Sequence, residues 1–171
     1  MDIKQSKNKI LIPVLIGGVV LIIVVLAIVL LTGGGSDKVV KNFGKGMEKG
    51  KAKLVCDSYS KELLEGEEWD DCEDDVDNYF DNNEIKSFTI KSSKEVSERD
   101  LEEIADDLED DYDIDASKVK KVMRYTIEYK RKAVKGWEKE KKYFWVAKIN
   151  GKWGIIGITD DKEYSFNLDN V

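Results

Sequence analysis

Two cysteines, several acidic runs and a group of aromatic residues are the side chains of this 171-residue sequence that could support specific chemistry. Histidine is absent, which excludes Ser–His–Asp and Cys–His catalytic arrangements and every His-ligated metal site. The sequence also lacks a CxxC pair, a glycine-rich phosphate loop and a nucleophile elbow. We therefore predict no enzyme activity and no cofactor, and we examine a disulfide, a cation site and a ligand surface.

Cys56 and Cys72 are the candidates for a disulfide. On one unbroken helix their Cα atoms would be about 24 Å apart, whereas a disulfide needs roughly 4.4–6.8 Å. The chain must therefore reverse between them, and Gly66 offers a helix break. Two cysteines in an exported domain favour a bridge, and two buried thiols are the alternative.

The run Glu65 to Asp81 holds ten carboxylates and no basic residue. One interpretation is a patch for a cation or a basic partner. The other, which we favour, is the solvated face of a helix whose opposite face carries Trp69, Cys72 and Val76.

A second acidic segment has part of the pattern of a calcium loop. Asp111, Asp113 and Asp115 follow the alternating spacing of the first three ligands. Ala116 stands where the loop needs glycine, and Val122 stands where it needs the bidentate glutamate. We interpret the segment as the acidic end of a helix and predict no metal site.

Aromatic side chains recur in the last third of the chain, on strands that alternate apolar and polar residues. The alternation predicts one aromatic face of a sheet, formed by Tyr125, Tyr129, Tyr143, Trp145 and Trp153. Such a face is either a ligand pocket or partner surface, or ordinary core beneath helices.

The order of the predicted elements is three helices, a strand, a helix and three meandering strands. Ser36 is a candidate cap for the first helix, and Gly50 marks its end. Ser97 is a candidate cap for the helix before the last three strands. Asn150–Gly151 between two apolar runs predicts a tight hairpin with a primed turn. The pattern predicts an α+β domain whose antiparallel sheet of about four strands buries one face against helices.

The N-terminus contains an uncharged run that predicts a transmembrane helix at residues 10–32. It is longer than the roughly 7–15 residues of a signal-peptide core, so we expect a retained anchor, with cleavage as the alternative. We expect a cytoplasmic tail at 1–9, a flexible linker at 33–36 and an extracytoplasmic domain at 37–171. This predicts a single-pass cell-membrane protein, although lysines flank both ends of the run.

Two segments resemble extracytoplasmic NTF2-like domains of bacterial membrane proteins. "SDKVVKNFGKGMEKGKAKLVCDSYSKELLE" resembles their opening helices, and "FWVAKINGKWGIIGI" resembles their closing hairpin. The resemblance implies an NTF2-like or cystatin-like fold, in which a curved antiparallel sheet wraps helices into a cone. Members of the family include ligand binders, isomerases and membrane-tethered scaffold modules.

The functional expectation is a membrane-anchored binding or assembly module without catalytic activity. Its partners would be membrane lipid through the span and another envelope protein or a small ligand. Residues 36–171 carry 25 basic and 34 acidic side chains, which argues against nucleic acid because its phosphates would be repelled. The alternatives are a scaffold subunit of a secretion or conjugation complex, and a ligand-binding or isomerase-like domain. The last would need an ionisable residue beside a tyrosine inside the cone, and the strand pattern places Arg124, Glu128 and Lys130 on the other face.

Overall fold

The computed structural model describes residues 35–64 and 67–162, with side chains described throughout except at 67–70. The predicted tail at 1–9 and membrane helix at 10–32 lie outside these ranges, as does Gly66. Within the described ranges, no helix has both the length and the apolar character needed to cross a membrane.

Four α-helices and four strands form the described domain. The helices are α1 (Ser36–Lys49), α2 (Ala52–Cys56), α3 (Glu67–Asn82) and α4 (Glu98–Tyr112). The strands are β1 (Ile85–Glu95), β2 (Val119–Ala133), β3 (Gly136–Ile149) and β4 (Lys152–Thr159), and a 3-10 turn at Ala116–Lys118 precedes β2. The strands follow one another in the sheet in the order β1-β2-β3-β4, all antiparallel. The α+β class and the four-stranded antiparallel sheet are confirmed.

The start of α1 differs from the prediction. Gly35 occupies the cap position without a side-chain hydrogen bond, and Ser36, placed by the sequence in the linker, is the first helical residue. The Ser36 hydroxyl lies 2.7 Å from the buried Tyr125 hydroxyl on β2 and so hydrogen-bonds the start of α1 to the sheet. The helix ends as predicted at Gly50, whose φ of 56° is the left-handed conformation that favours glycine.

Helix α2 ends at Cys56, and the chain after it joins the sheet. Ser60 N donates to Ile155 O and Ile155 N donates to Ser58 O, both at 2.9 Å. These bonds make a parallel bridge between Tyr59 and Ile155 at the edge of β4. Gly154 permits this contact, since a Cβ there would lie 2.5 Å from Ser60 Cα.

Local signals in the sequence set two further elements. Ser97 caps α4 by accepting a hydrogen bond from Asp100 N, as predicted. Asn150 and Gly151, with φ of 49° and 81°, form the primed turn between β3 and β4. The turn between β2 and β3 is also short, because Ala133 pairs with Gly136.

The sheet is covered on both faces, so the prediction of a single buried face is wrong. We define the cavity face by Tyr125, Ile127, Phe144, Val146 and Ile155, which pack against residues of α1, α2 and α3. We define the α4 face by Val122, Trp145, Ala147, Ile149 and Ile156, which pack against Ile104, Ala105 and Leu108 of α4.

The pairing register explains the two apolar faces. Tyr125 pairs with Phe144, and Arg124 pairs with Trp145. Directly paired residues lie on the same face of an antiparallel sheet, so odd-numbered residues of β2 share a face with even-numbered residues of β3. The prediction of one aromatic face instead groups odd-numbered residues of both strands.

Candidate functional site

A cavity of about 550 Å³ lies between the first three helices and the cavity face of the sheet. Its walls are mainly apolar and aromatic. They include Phe43 and Met47 of α1, Val76 of α3, Ile85 and Phe88 of β1, and Phe144 of β3.

Aromatic rings in edge-to-face contact form one wall of the cavity. The Phe43 ring centroid lies 5.0 Å from that of Phe144 and 5.9 Å from that of Tyr59. Phe88 also packs edge-on against Phe144, at 5.8 Å. Such contacts fix the relative orientation of the rings, so this wall is a rigid apolar surface.

Tyr59 contributes a buried polar group to the cavity wall. The residue is 5 % exposed, and its hydroxyl has no hydrogen-bond partner among the described residues. Burial raises the pKa of Tyr59 far above its usual value, so the phenol is neutral and keeps a proton to donate. A buried hydroxyl without a partner costs about 1–3 kcal/mol, so Tyr59 leaves one polar group of the cavity wall unsatisfied.

A second polar feature of the cavity is a cluster of three residues from β2 and β3. Tyr129 donates a 2.8 Å hydrogen bond to Glu140 Oε2, and Arg131 Nε donates a 2.7 Å bond to Glu140 Oε1. Burial, followed by the Glu140 carboxylate, raises the pKa of Tyr129. The same carboxylate raises the pKa of Arg131. The cluster therefore contains a neutral phenol, a carboxylate and a guanidinium, all lining the cavity.

Further charges lie at the rim of the cavity. Lys142 lines it and pairs with Asp160 at 2.7 Å. Asp71 and Asp75, one turn apart on α3, also line it, and neither has an ion-pair partner within the described part of the chain. The acidic face of α3 therefore places two uncompensated carboxylates at the cavity rim.

The cysteines lie in the same region. Cys56 and Cys72 form a disulfide with their Cα atoms 6.1 Å apart, so the predicted pairing is present at disulfide geometry. The bridge ties α2 to α3, and Cys72 is part of the cavity wall. The chain reversal that the bridge requires is thus present between the two helices.

The structure separates the five aromatic residues that the sequence placed on one surface. Tyr129 alone among them lines the cavity. Tyr125 is fully buried on the cavity face, and Trp153 packs against the edge of the same core. Tyr143 and Trp145 lie on the other side of the sheet, where the Arg124 guanidinium carbon is 6.0 Å and 5.7 Å from their ring centroids. The prediction of one aromatic surface is wrong because of the β2–β3 register.

Sequence reasoning missed Glu140 and Arg131, which are the ionisable residues beside a tyrosine in the cavity. Glu140 pairs directly with Tyr129 across the strands, and the position of the β2–β3 turn would have revealed that pairing. Glu128 faces away from the cavity, as the sequence pattern implied. Lys91 and Lys139 pair with Glu128 at 3.0 Å and 3.1 Å and lower the pKa of its carboxyl.

The three aspartates with calcium-loop spacing belong to a helix end and a turn. Asp111 is in the last turn of α4, and Asp113, with φ of 54°, ends it. Asp115 accepts a hydrogen bond from Ser117 N and caps the 3-10 turn. No group of three metal-binding side chains occurs among the residues for which the structure describes positions.

Comparison with known proteins gives a distant likeness to a solved structure. No protein-family model matches the chain, and no curated protein matches it. The crystal structure of an NTF-2 like protein of unknown function from Shewanella oneidensis MR-1 matches with a TM-score of 0.43 and 18 % identity, covering 69 % of this chain and 88 % of that chain. Because the TM-score and the identity are both low, the α+β assignment rests on the elements and sheet order described above.

Proposed function

We propose that this protein is a membrane-anchored, NTF2-like module that binds a small molecule outside the cytoplasm, in the cavity between α1, α2, α3 and the sheet. The observation that carries the proposal is the cavity itself. Its volume of about 550 Å³ lies within the range of about 300–1,000 Å³ typical of ligand sites. Its walls combine packed apolar rings with polar groups at defined positions, which is the composition such sites have.

Binding without catalysis is favoured over an isomerase-like reaction by the state of Glu140. A general base needs a carboxylate oxygen within reach of the substrate proton. Both oxygens of Glu140 accept hydrogen bonds, one from Tyr129 and one from Arg131. Proton transfer by the Glu140–Tyr129 pair remains the second candidate, because these two groups do line the cavity.

The extracytoplasmic location is supported by two features. The uncharged run at residues 10–32 is long enough to span a bilayer, and the Cys56–Cys72 bridge is of a kind that persists in oxidising compartments. A reporter that is active only outside the cytoplasm, fused after Val171, should therefore be active in cells. A stably expressed but inactive fusion would contradict this orientation, and a mature N-terminus near Ser36 would contradict the anchor.

Binding in the cavity can be tested with a neutral fluorescent probe such as 9-anthracenemethanol. The full-length protein is placed in nanodiscs of zwitterionic lipid, and the signal of empty nanodiscs is subtracted. We expect saturable binding to the wild type. The affinity should fall at least tenfold in Met47→Trp, which replaces a flexible side chain in the cavity with a bulky indole ring. Val134→Trp adds the same ring on the fully exposed β2–β3 turn and should bind like the wild type. Equal binding by both variants would refute the cavity as the site.

A further inference from the structure

The charges around the cavity distinguish between classes of ligand. Of the two cations that line it, Arg131 is paired with Glu140 and Lys142 is paired with Asp160. The carboxylates of Asp71 and Asp75 are left without a paired cation in the described chain. The rim therefore has negative charge that a ligand could neutralise.

The cavity wall also contains an unpartnered polar group, which is an observation independent of the acidic rim. Tyr59 is more than nine-tenths buried in the wall and its hydroxyl is unpartnered. Native proteins seldom leave a buried hydroxyl unsatisfied, and this one belongs to a residue of the cavity wall.

We propose that the ligand is an organic cation, with an apolar or aromatic body inside the cavity and a protonated amine at the rim beside Asp71 and Asp75. This inference rests on the proposed binding function and names its ligand class. The aromatic wall suits such a body, because Phe43, Phe88 and Phe144 offer ring faces and edges. The amine stays near solvent, where a charge avoids most of the cost of burial.

Asp71 and Asp75 suit this role by their spacing. Residues four apart on a helix are neighbours on one side, and Cys72, Val76 and Tyr79 place that side of α3 against the cavity. Asp74 and Asp77 are exposed on the same helix and do not line the cavity. They offer a matched pair of carboxylates for a control variant with the same change in net charge.

The test compares three ligands that share one ring system: 9-anthracenylmethylammonium, 9-anthracenemethanol and anthracene-9-carboxylate. Affinities are measured by equilibrium dialysis against the full-length protein in zwitterionic nanodiscs, with empty nanodiscs subtracted. The ammonium can form exposed charge pairs with Asp71 and Asp75, so we expect it to bind about tenfold tighter than the alcohol at low salt. The carboxylate should bind weakest. The preference should shrink at 0.5 M salt. The electrostatic screening length is about 10 Å at 0.1 M and is shorter at higher salt, so the attraction between exposed charges is weaker.

The variant Asp71→Asn with Asp75→Asn should lose the tenfold preference for the ammonium over the alcohol. Asp74→Asn with Asp77→Asn should keep the preference. Equal affinities of the ammonium and the alcohol for the wild type would overturn the ligand class while supporting cavity binding. Loss of the preference in the Asp74/Asp77 variant would also overturn it, because the effect would then come from the whole helix. If none of the three ligands binds, the proposed function itself fails.

Discussion

The disulfide between Cys56 and Cys72 makes a quantitative prediction about stability. The two residues are separated by 16 positions, and a loop of that length restricts the unfolded chain by about 3 kcal/mol in the chain-entropy treatment. In a domain of this size, loss of that stabilisation on reduction of the disulfide corresponds to a fall of roughly 10 °C in the unfolding midpoint. Because Cys56 is 1 % exposed, reduction requires unfolding in reductant followed by refolding.

The measurement is thermal unfolding of the full-length protein by circular dichroism, in the oxidised and reduced forms, with thiols titrated in each. The reduced wild type keeps both sulfur atoms, so the difference reports the crosslink and not a lost side chain. In the variant Cys56→Ala with Cys72→Ala, reductant should not move the midpoint. A fully reduced wild type whose midpoint falls by less than about 3 °C would refute the loop argument. Two free thiols before reduction would refute the bridge.

Two further predictions concern the buried tyrosines. Tyr125→Phe should lower the free energy of unfolding by about 1–2 kcal/mol, because the Tyr125 hydroxyl joins β2 to Ser36 and Asp37 at the start of α1. Denaturant unfolding measures this change, and an unchanged midpoint would contradict the role of these bonds. The pKa values of Tyr59, Tyr125 and Tyr129 are all raised by burial. Their preference for the neutral phenol in the folded state therefore contributes fully to stability below about pH 10, the ordinary tyrosine pKa. This contribution is lost as the pH rises through the pKa values of the folded state. Unfolding free energies at pH 9 and pH 11 should show a fall that is smaller in Tyr125→Phe, and equal falls would contradict the assignment.

The separation of the cavity residues in the sequence explains why the site was only partly predictable. Tyr129 was identified because it lies in an alternating strand. Glu140 lies in a lysine-rich segment that resembles a solvated strand end, and its partner Tyr129 is in another strand. Tyr59 lies at the sheet edge because Ser58 and Ser60 on either side of it are hydrogen-bonded to Ile155. Each of these positions depends on contacts with residues that are distant in the chain.

The sequence by itself determined the elements whose signals are local. The stripe of Ile104, Ala105 and Leu108 predicts one buried face of α4, since its spacing matches the helical repeat. Gly50 ends α1 and Asn150–Gly151 makes a primed turn, because both positions need backbone angles that only some residues adopt readily. These features require no knowledge of the rest of the fold.

The tertiary structure decided which faces of neighbouring strands coincide. Alternation fixes the two faces of each strand separately, and it does not say which face of β3 joins the cavity face of β2. The two-residue turn after Ala133 sets that register and moves Tyr143 and Trp145 to the α4 face. The irregular register of β1 has a similar effect, since Ser87, with φ of 58°, lies between Ile85 and Phe88 and both line the same cavity. A shift of one residue reverses every side chain of a strand, so the site depends on the register that only the folded sheet fixes.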